Sequence, residues 1–257
     1  MRKALTHILS SVGFKRSDLV AVRNLPRYFR DWRCYSGKAK GALPLRLRDI
    51  YPALTDYEGA AGDSSTYYFY QDLWAARKIY QRRPSSHLDI GSRIDGFVAH
   101  LLTFMDVDVL DIRPCETTVP GLRFVQGDAT GLAQYQDGSV DSISSLHAAE
   151  HFGLGRYGDP IDPSGHQRFA AALERVLAPN GRLYFSVPVG RERVEFNAHR
   201  VFAVESVLAL FGQLQLVDCV LIDDAGIVRD VNPAHLNCDD LEFGCGLFEF
   251  TRPDLCG

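Results

Sequence analysis

Residues 147–152 read His-Ala-Ala-Glu-His-Phe and bring two imidazoles and a carboxylate together in one short stretch. An imidazole of ordinary pKa, near ~6.5, can take a proton at neutral pH, and an adjacent carboxylate can orient it. That combination is the equipment of a general base. His151 is the first choice for the base, His147 the second, and Glu150 the group that orients one of them. The plainer alternative is that both rings hydrogen-bond only to loop backbone. The spacing also matches the inverted zinc-protease motif H-x-x-E-H. That motif needs one continuous helix and a further downstream ligand. Here the β-like run VDSISSL leads into the histidines, and glycines follow at 153, 155 and 158, so no zinc site is expected. Asp159, Asp162, His166 and His199 carry ligand chemistry for Mg²⁺ or Mn²⁺, but no spacing compels them to converge, and no metal is predicted.

Other residues have the chemistry of substrate contacts. Arg191, Arg193 and Arg200 follow Pro188, and Arg156 and His199 join them as candidates. Guanidinium groups there suit a phosphate or a uronic acid held bidentately, with solvated surface as the blander alternative. Tyr67, Tyr68, Tyr70 and Trp74 offer faces on which a sugar stacks, with Tyr70 and Trp74 taken as the contacts. At helical spacing such residues equally suit a core.

These side chains need a frame, and residues 87–96, HLDIGSRIDG, supply its clearest piece. An apolar strand ends in an acid and a glycine, and a small polar turn leads into the apolar run FVAHLL. A strand, glycine turn and helix in that order bring backbone N–H groups close to a nucleotide-like ligand. Gly91 and Gly96 carry no side chain to block it. Downstream, strands are expected at 87–90, 107–112, 122–126, 140–146, 182–189, 214–223 and 246–252. Helices are expected at 96–105, 164–178 and 203–211, with a short one near 129–135 and a turn at Pro179-Asn180-Gly181. A further helix runs from Ser65 to Pro84, and Gly59–Asp63 reads as a loop. Strands alternating with helices imply a mostly parallel sheet covered on both faces.

The order of these signals resembles the class I S-adenosylmethionine-dependent methyltransferases: acid–glycine after the first strand, an acid ending the second, Gly-Asp after the third. An H-x-x-E-H-F loop and the stretch ALERVLAPNGRLYFSVP complete it. The resemblance covers roughly residues 85–252. It is nearest to a bacterial branch known only as a domain of unknown function and associated with surface-glycan synthesis, which FYQDLWAARKI also fits. It implies a three-layer αβα Rossmann-like fold with a seven-stranded sheet. It places Asp89, Gly91, Ser92 and Arg93 around the methionine end of S-adenosylmethionine. Asp111 and Ile112 would lie at the ribose, Asp128 and Ala129 at the adenine, and Leu146 and His147 on the other side. The family usually shows acid-x-Gly-x-Gly-x-Gly, whereas Arg93 and Asp95 stand at the second and third glycine positions. Arginine there swings away, pairs with an acidic ligand group, or fills the pocket.

Composition is that of an ordinary globular chain, with 46% hydrophobic and 23% charged residues. No run reaches the ~18 apolar residues of a membrane span. Met1-Arg2-Lys3 is not followed by a signal-peptide core, so the chain reads as cytoplasmic. The six cysteines contain no C-x-x-C pair and read as reduced structural thiols. Residues 1–48 hold twelve Lys/Arg against two Asp, while the remainder holds 16 against 30 Asp/Glu. The basic segment suits an anionic membrane face, a phosphate-bearing partner or the acidic body of its own chain, with nucleic acid a weak prospect. Residues 1–83 are therefore read as a basic extension with lid helices, and 84–257 as the methyltransferase-like domain. The expected reaction is O-methylation of a sugar or glycan precursor. The rivals are a non-catalytic relative that binds glycan, membrane or a partner enzyme, and an NAD-dependent nucleotide-sugar enzyme, although the glycine loop lacks the second glycine of G-x-G-x-x-G.

Overall fold

A computed structural model of the chain describes residues 16–38, 46, 50–58, 66–230 and 240–254. The Gly59–Asp63 loop, Cys238, Cys256 and the basic residues Arg2, Lys3, Lys15, Lys40 and Arg48 lie outside the described residues. Two compact units make up the chain, 1–63 and 64–257. In the first, α1 spans Arg16–Lys38 and contains Pro26, which withholds one helical N–H. The sequence shows no steady period here, yet Ala21, Asn24, Leu25, Tyr28 and Trp32 line up as a half-buried stripe. Asn24 Nδ2 donates to the Leu54 carbonyl at 2.8 Å, and the Arg27 guanidinium lies 4.0 Å over the Tyr57 ring. Arg23, Arg27, Arg30 and Arg33 are exposed. Among the described residues, no helix is long and apolar enough to cross a membrane.

The second unit opens with α2, Tyr67–Arg82, which ends where Arg83 turns left-handed and returns its N–H to the Ile79 carbonyl. The boundary expected at 83/84 groups this helix with the basic extension. Its packing puts it with the sheet, because Trp74, Ala75, Ala76 and Ile79 face inward and are buried. Lys78 reaches Asp218 and Glu249, and Arg82 reaches Asp141. Strands β1 (Leu88–Ile90), β2 (Val107–Asp111), β3 (Leu122–Gln126), β4 (Val140–Leu146) and β5 (Leu177–Val189) follow. Between β1 and β2 a wide helical turn, Ile94–Val98, runs into α3, Ala99–Leu101. Helix α4, Gly165–Val176, leads directly into β5. The hairpin β6 (Arg193–Glu195) and β7 (His199–Val201), α5 (Val204–Leu210), β8 (Gln215–Ile222), β9 (Val228–Asp230) and β10 (Gly244–Thr251) complete the unit.

The sheet order is β3-β2-β1-β4-β5-β10-β8-β9. Strands β1 to β5 pair in parallel, and β10 is antiparallel to both β5 and β8. All seven expected strands are present, and the sheet is mixed. The eighth strand, β9, pairs antiparallel with β8 at the edge and is too short to show alternation in sequence. The helix expected near 129–135 is instead a series of turns in which Leu132 is buried at φ 43°. The Pro179-Asn180-Gly181 turn sits within the span of β5, marked by Asn180 at φ 60° and a register shift against β4.

Side chains alternate across the sheet and make a core on each face. One face gathers Ile90, Leu110, Ile143 and Phe185 under Phe169 and Leu173 of α4 and Val207 of α5. The other gathers Val109, Leu146, Tyr184 and Leu247 under α2 and the Phe97–Leu101 turn. Burying each such large side chain contributes about 1.5–3 kcal/mol. The two helical layers fix where the strands end, and the carboxyl ends of β1 to β4 open on one side of the sheet. That is the edge at which doubly wound sheets hold ligands.

Candidate active site

Gly91 leaves β1 at φ 73°, its N–H donates to the Leu110 carbonyl at 3.0 Å, and an added Cβ would lie 2.9 Å from Ala148. The β1 and β4 loops therefore touch through a residue that must be glycine. Asp89 does not face the opening. It is fully buried, and its Oδ1 accepts from Ser92 Oγ and Ser144 Oγ, both at 2.6 Å. Ser144 Oγ also meets His87 Nε2 at 2.9 Å, and Ser92 Oγ accepts the Leu146 N–H at 3.1 Å. Burial raises the Asp89 carboxyl to about 6, and burial lowers His87 to about 3. Asp89, Ser92 and Leu146 thus build the loop from beneath. Arg93 swings outward, where it is exposed and pairs with Asp95 at 3.1 Å. It does not fill the cleft.

One cleft collects Gly91, Asp111, Ile112, Asp128, Ala129, His147 and His151 from four successive strand ends. Asp111 closes β2, and both of its oxygens accept from Arg113: Oδ1 from the backbone N–H at 2.8 Å and Nε at 3.0 Å, Oδ2 from Nη2 at 2.5 Å. Asp128 accepts from the Thr130 N–H at 2.8 Å and its hydroxyl at 2.9 Å. The opposite wall is the loop 153–165, folded on itself around Asp159. Asp159 accepts N–H bonds from Gly153, Gly155 and Tyr157. Asp162 pairs with Arg168 at 2.6 Å. Among the described residues, no three His, Cys, Asp or Glu side chains gather as metal ligands.

His147 is held from every side. Its backbone is at φ 52°, and its N–H donates to the Ser186 carbonyl at 3.0 Å. Nδ1 meets Glu150 Oε1 at 2.9 Å, Nε2 meets Cys245 Sγ at 3.3 Å, and Tyr67 stacks on the ring at 4.8 Å. A non-glycine residue costs ~1–3 kcal/mol in such a left-handed setting, so the surroundings must over-determine it. Burial alone would lower His147, but flanking Cys245 and Glu150 hold it well above the usual histidine range. Burial would raise Glu150, and the charge on His147 outweighs it and holds the carboxyl low. Glu150 Oε2 is buried with no hydrogen-bond partner among the described residues.

His151 is placed differently. Its Nδ1 lies 2.7 Å from the Ala198 carbonyl oxygen, so that nitrogen carries the proton and donates. Nε2 is left with its lone pair, 3.6 Å from Glu150 Oε1. Burial holds the ring below the usual histidine value, ahead of the opposing pull of Glu150. Arg156 Nη1 donates to the same Ala198 carbonyl at 2.8 Å, which puts its guanidinium beside His151 at the rim.

The remaining candidates disperse. Trp74 is core, edge-on to Tyr184 at 6.2 Å, and Tyr70 packs half-buried against the same cluster. The helix turns them inward, and Tyr67 and Tyr68 are the aromatics that reach His147. Arg200 is buried, and its guanidinium donates to the Phe152 carbonyl at 2.6 Å and the Glu150 carbonyl at 3.3 Å. It ties the β7 strand to the histidine loop and leaves no free face for an anion. Arg191 is exposed and does not line the cleft. His199 pairs with Glu195 at 3.2 Å and lies against Phe243. Arg113, Tyr157, Cys245 and Gln71, whose Oε1 accepts from Ser186 Oγ at 2.6 Å, are the participants that sequence reasoning missed. Arg113 alone had a local signal, since it stands two residues after the strand-end acid.

Residues 125–224 match a family described as "Caenorhabditis protein of unknown function, DUF268". No curated protein matches the sequence. Among solved structures, the chain is similar to the N-methyltransferase NodS from Bradyrhizobium japonicum WM9 in complex with S-adenosylhomocysteine. The identity is 16%, with 76% of this chain and 94% of that one covered, at a TM-score of 0.51. A Burkholderia thailandensis 1,6-didemethyltoxoflavin-N1-methyltransferase with bound S-adenosylhomocysteine is 16% identical over 72% of this chain and 79% of that one, at a TM-score of 0.50. The [4+2]-cyclase SpnF is 12% identical over 71% and 81%, at a TM-score of 0.51. The fold is the Rossmann-like methyltransferase fold. A [4+2]-cyclase shares this fold with methyltransferases, so the fold alone does not fix the reaction.

Proposed function

We propose that the chain is an S-adenosylmethionine-dependent methyltransferase acting on a hydroxyl of a sugar or glycan precursor. The observation that carries the reading is the convergence of Gly91, Asp111, Asp128 and His151 on one cleft at four successive strand ends. Gly91 lines the cleft without a side chain, and Asp111 and Asp128 are acceptors suited to a ribose diol and an adenine amino group. These donor and acceptor types fit an adenosyl ligand. The bound cofactor supplies an electrophilic methyl group on a sulfonium.

The chain's own residues have two tasks: to align a hydroxyl with that methyl and to remove its proton. His151 Nε2 takes the proton, because Nδ1 is committed to Ala198 and burial keeps the ring neutral. Glu150, 3.6 Å away, stabilises the imidazolium that results. His147 has both nitrogens engaged and its face covered by Tyr67, so its part is to hold Glu150 in place. Arg156, beside His151 at the rim, is the group offered to the acceptor. The non-catalytic rival leans on Arg93 and Asp95, and the pairing of these two with each other outside the cleft supports the catalytic reading. The test is methyl transfer from labelled S-adenosylmethionine to a panel of sugars, sugar phosphates and uronic acids. Binding of S-adenosylhomocysteine without transfer to any acceptor would contradict the enzymatic part.

A further inference from the structure

Resting on the cofactor reading above, we propose that Arg113 is an internal competitor for the ribose site, a latch that must leave Asp111 before a diol can bind. Asp111 is 11% exposed in its side chain, and both of its oxygens already accept from Arg113. The guanidinium places Nε on Oδ1 at 3.0 Å and Nη2 on Oδ2 at 2.5 Å. A cis-diol presents two parallel O–H donors to a carboxylate in the same two-on-two pattern, so the arginine fork mimics the ligand it excludes. Both cannot be seated at once.

The surroundings make the arginine the part that moves. Gln126 Nε2 donates to the Ile112 carbonyl at 3.0 Å, and the Arg113 N–H stays on Asp111 Oδ1 at 2.8 Å. The turn is thereby pinned and Asp111 keeps its aim. Beyond the turn, the Arg113 side chain is half-exposed, and its guanidinium lies 4.7 Å from the Tyr157 ring. Tyr157 belongs to the loop that forms the opposite wall, so the stacked arginine also bridges the mouth of the cleft. A ligand whose site is open only part of the time binds with an affinity reduced by that fraction. A half-exposed but bidentate pair of this kind occludes the carboxylate most of the time, equivalent to about a fivefold penalty.

Calorimetric titration of the full chain with S-adenosylhomocysteine tests this, with wild type, Arg113→Ala and Arg113→Lys compared and their folding checked by thermal melting. Arg113→Ala is expected to bind about fivefold tighter, and Arg113→Lys, which has no fork, to lie between. Raising NaCl weakens the pair by screening, so wild-type affinity should rise with salt while the alanine variant stays flat. The gain should appear with adenosine as probe and vanish with 2′-deoxyadenosine, which cannot engage both carboxylate oxygens. Equal or weaker binding by folded Arg113→Ala, or an equal gain with the deoxy probe, overturns the latch and leaves the cofactor reading standing. Failure of both wild type and Arg113→Ala to bind any adenosyl probe overturns the latch and that reading together.

Discussion

His151 and His147 sit four residues apart and yet have opposite protonation, because one has a carbonyl and the other an acid and a thiol as partners. His151→Ala should leave S-adenosylhomocysteine affinity unchanged and lower methyl transfer about 10²-fold, as measured by single-turnover kinetics. The wild-type rate should fall as pH drops through the depressed histidine pKa, and this limb should disappear in the variant. Arg93→Gly is expected to change S-adenosylhomocysteine affinity by less than about twofold, since the guanidinium is paired with Asp95 outside the cleft. A tenfold change in calorimetry would put Arg93 back in the site. Asp111 could be read from sequence because it ends its own apolar run, and Asp128 because it follows Gly127 just past the third strand. The Cys245–His147 and Ser186–Gln71 contacts could not, because they join positions 98 and 115 residues apart. Arg200 was misread for a related reason: three carbonyls from distant loops claim its donors.

The loop 153–165 owes its shape to glycines that differ in what surrounds them. A Cβ on Gly153, at φ 76°, would lie 1.9 Å from the Asp162 carbonyl oxygen, whereas Gly158, at φ 85°, has nothing within 4 Å. Gly158→Ala should cost only the left-handed strain, about 1 kcal/mol. Gly153→Ala adds a backbone collision and should lower the melting temperature further and weaken ligand binding by moving Tyr157. Equal melting temperatures for the two variants would contradict the placement of Asp162 against Gly153. The sheet was readable because β1 to β5, β8 and β10 carry long apolar or alternating runs. The hairpin β6–β7 and β9 are three residues each, too short for a period to register. Helix α1 escaped because Pro26 and the dense arginines hide a half-buried stripe.

The fold also stores a buried carboxyl whose titration affects the stability of the sheet unit. Asp89 titrates at about 6 when folded against an ordinary value of 3.8, so the folded chain binds the extra proton between those pH values. Its contribution is fully present below about pH 4, declines as pH rises toward about 6, and is flat above, with a span of about 3 kcal/mol. The difference in urea midpoint between wild type and Asp89→Asn should therefore change across pH 4–6 and be constant above it. A difference that stays constant across that window would mean Asp89 is not buried as a titrating group. The Asp89 network lies directly beneath the cleft, so the same polar frame that costs stability near neutrality holds Gly91 and the β4 loop where a ligand needs them. The most direct measurement is calorimetric titration of wild type and Asp111→Ala with S-adenosylhomocysteine, with NAD as control. Micromolar binding by wild type, lost in Asp111→Ala and absent for NAD, is the expected result. Absence of S-adenosylhomocysteine binding in folded wild type, or binding that survives the loss of Asp111, would contradict an adenosyl cofactor in this cleft.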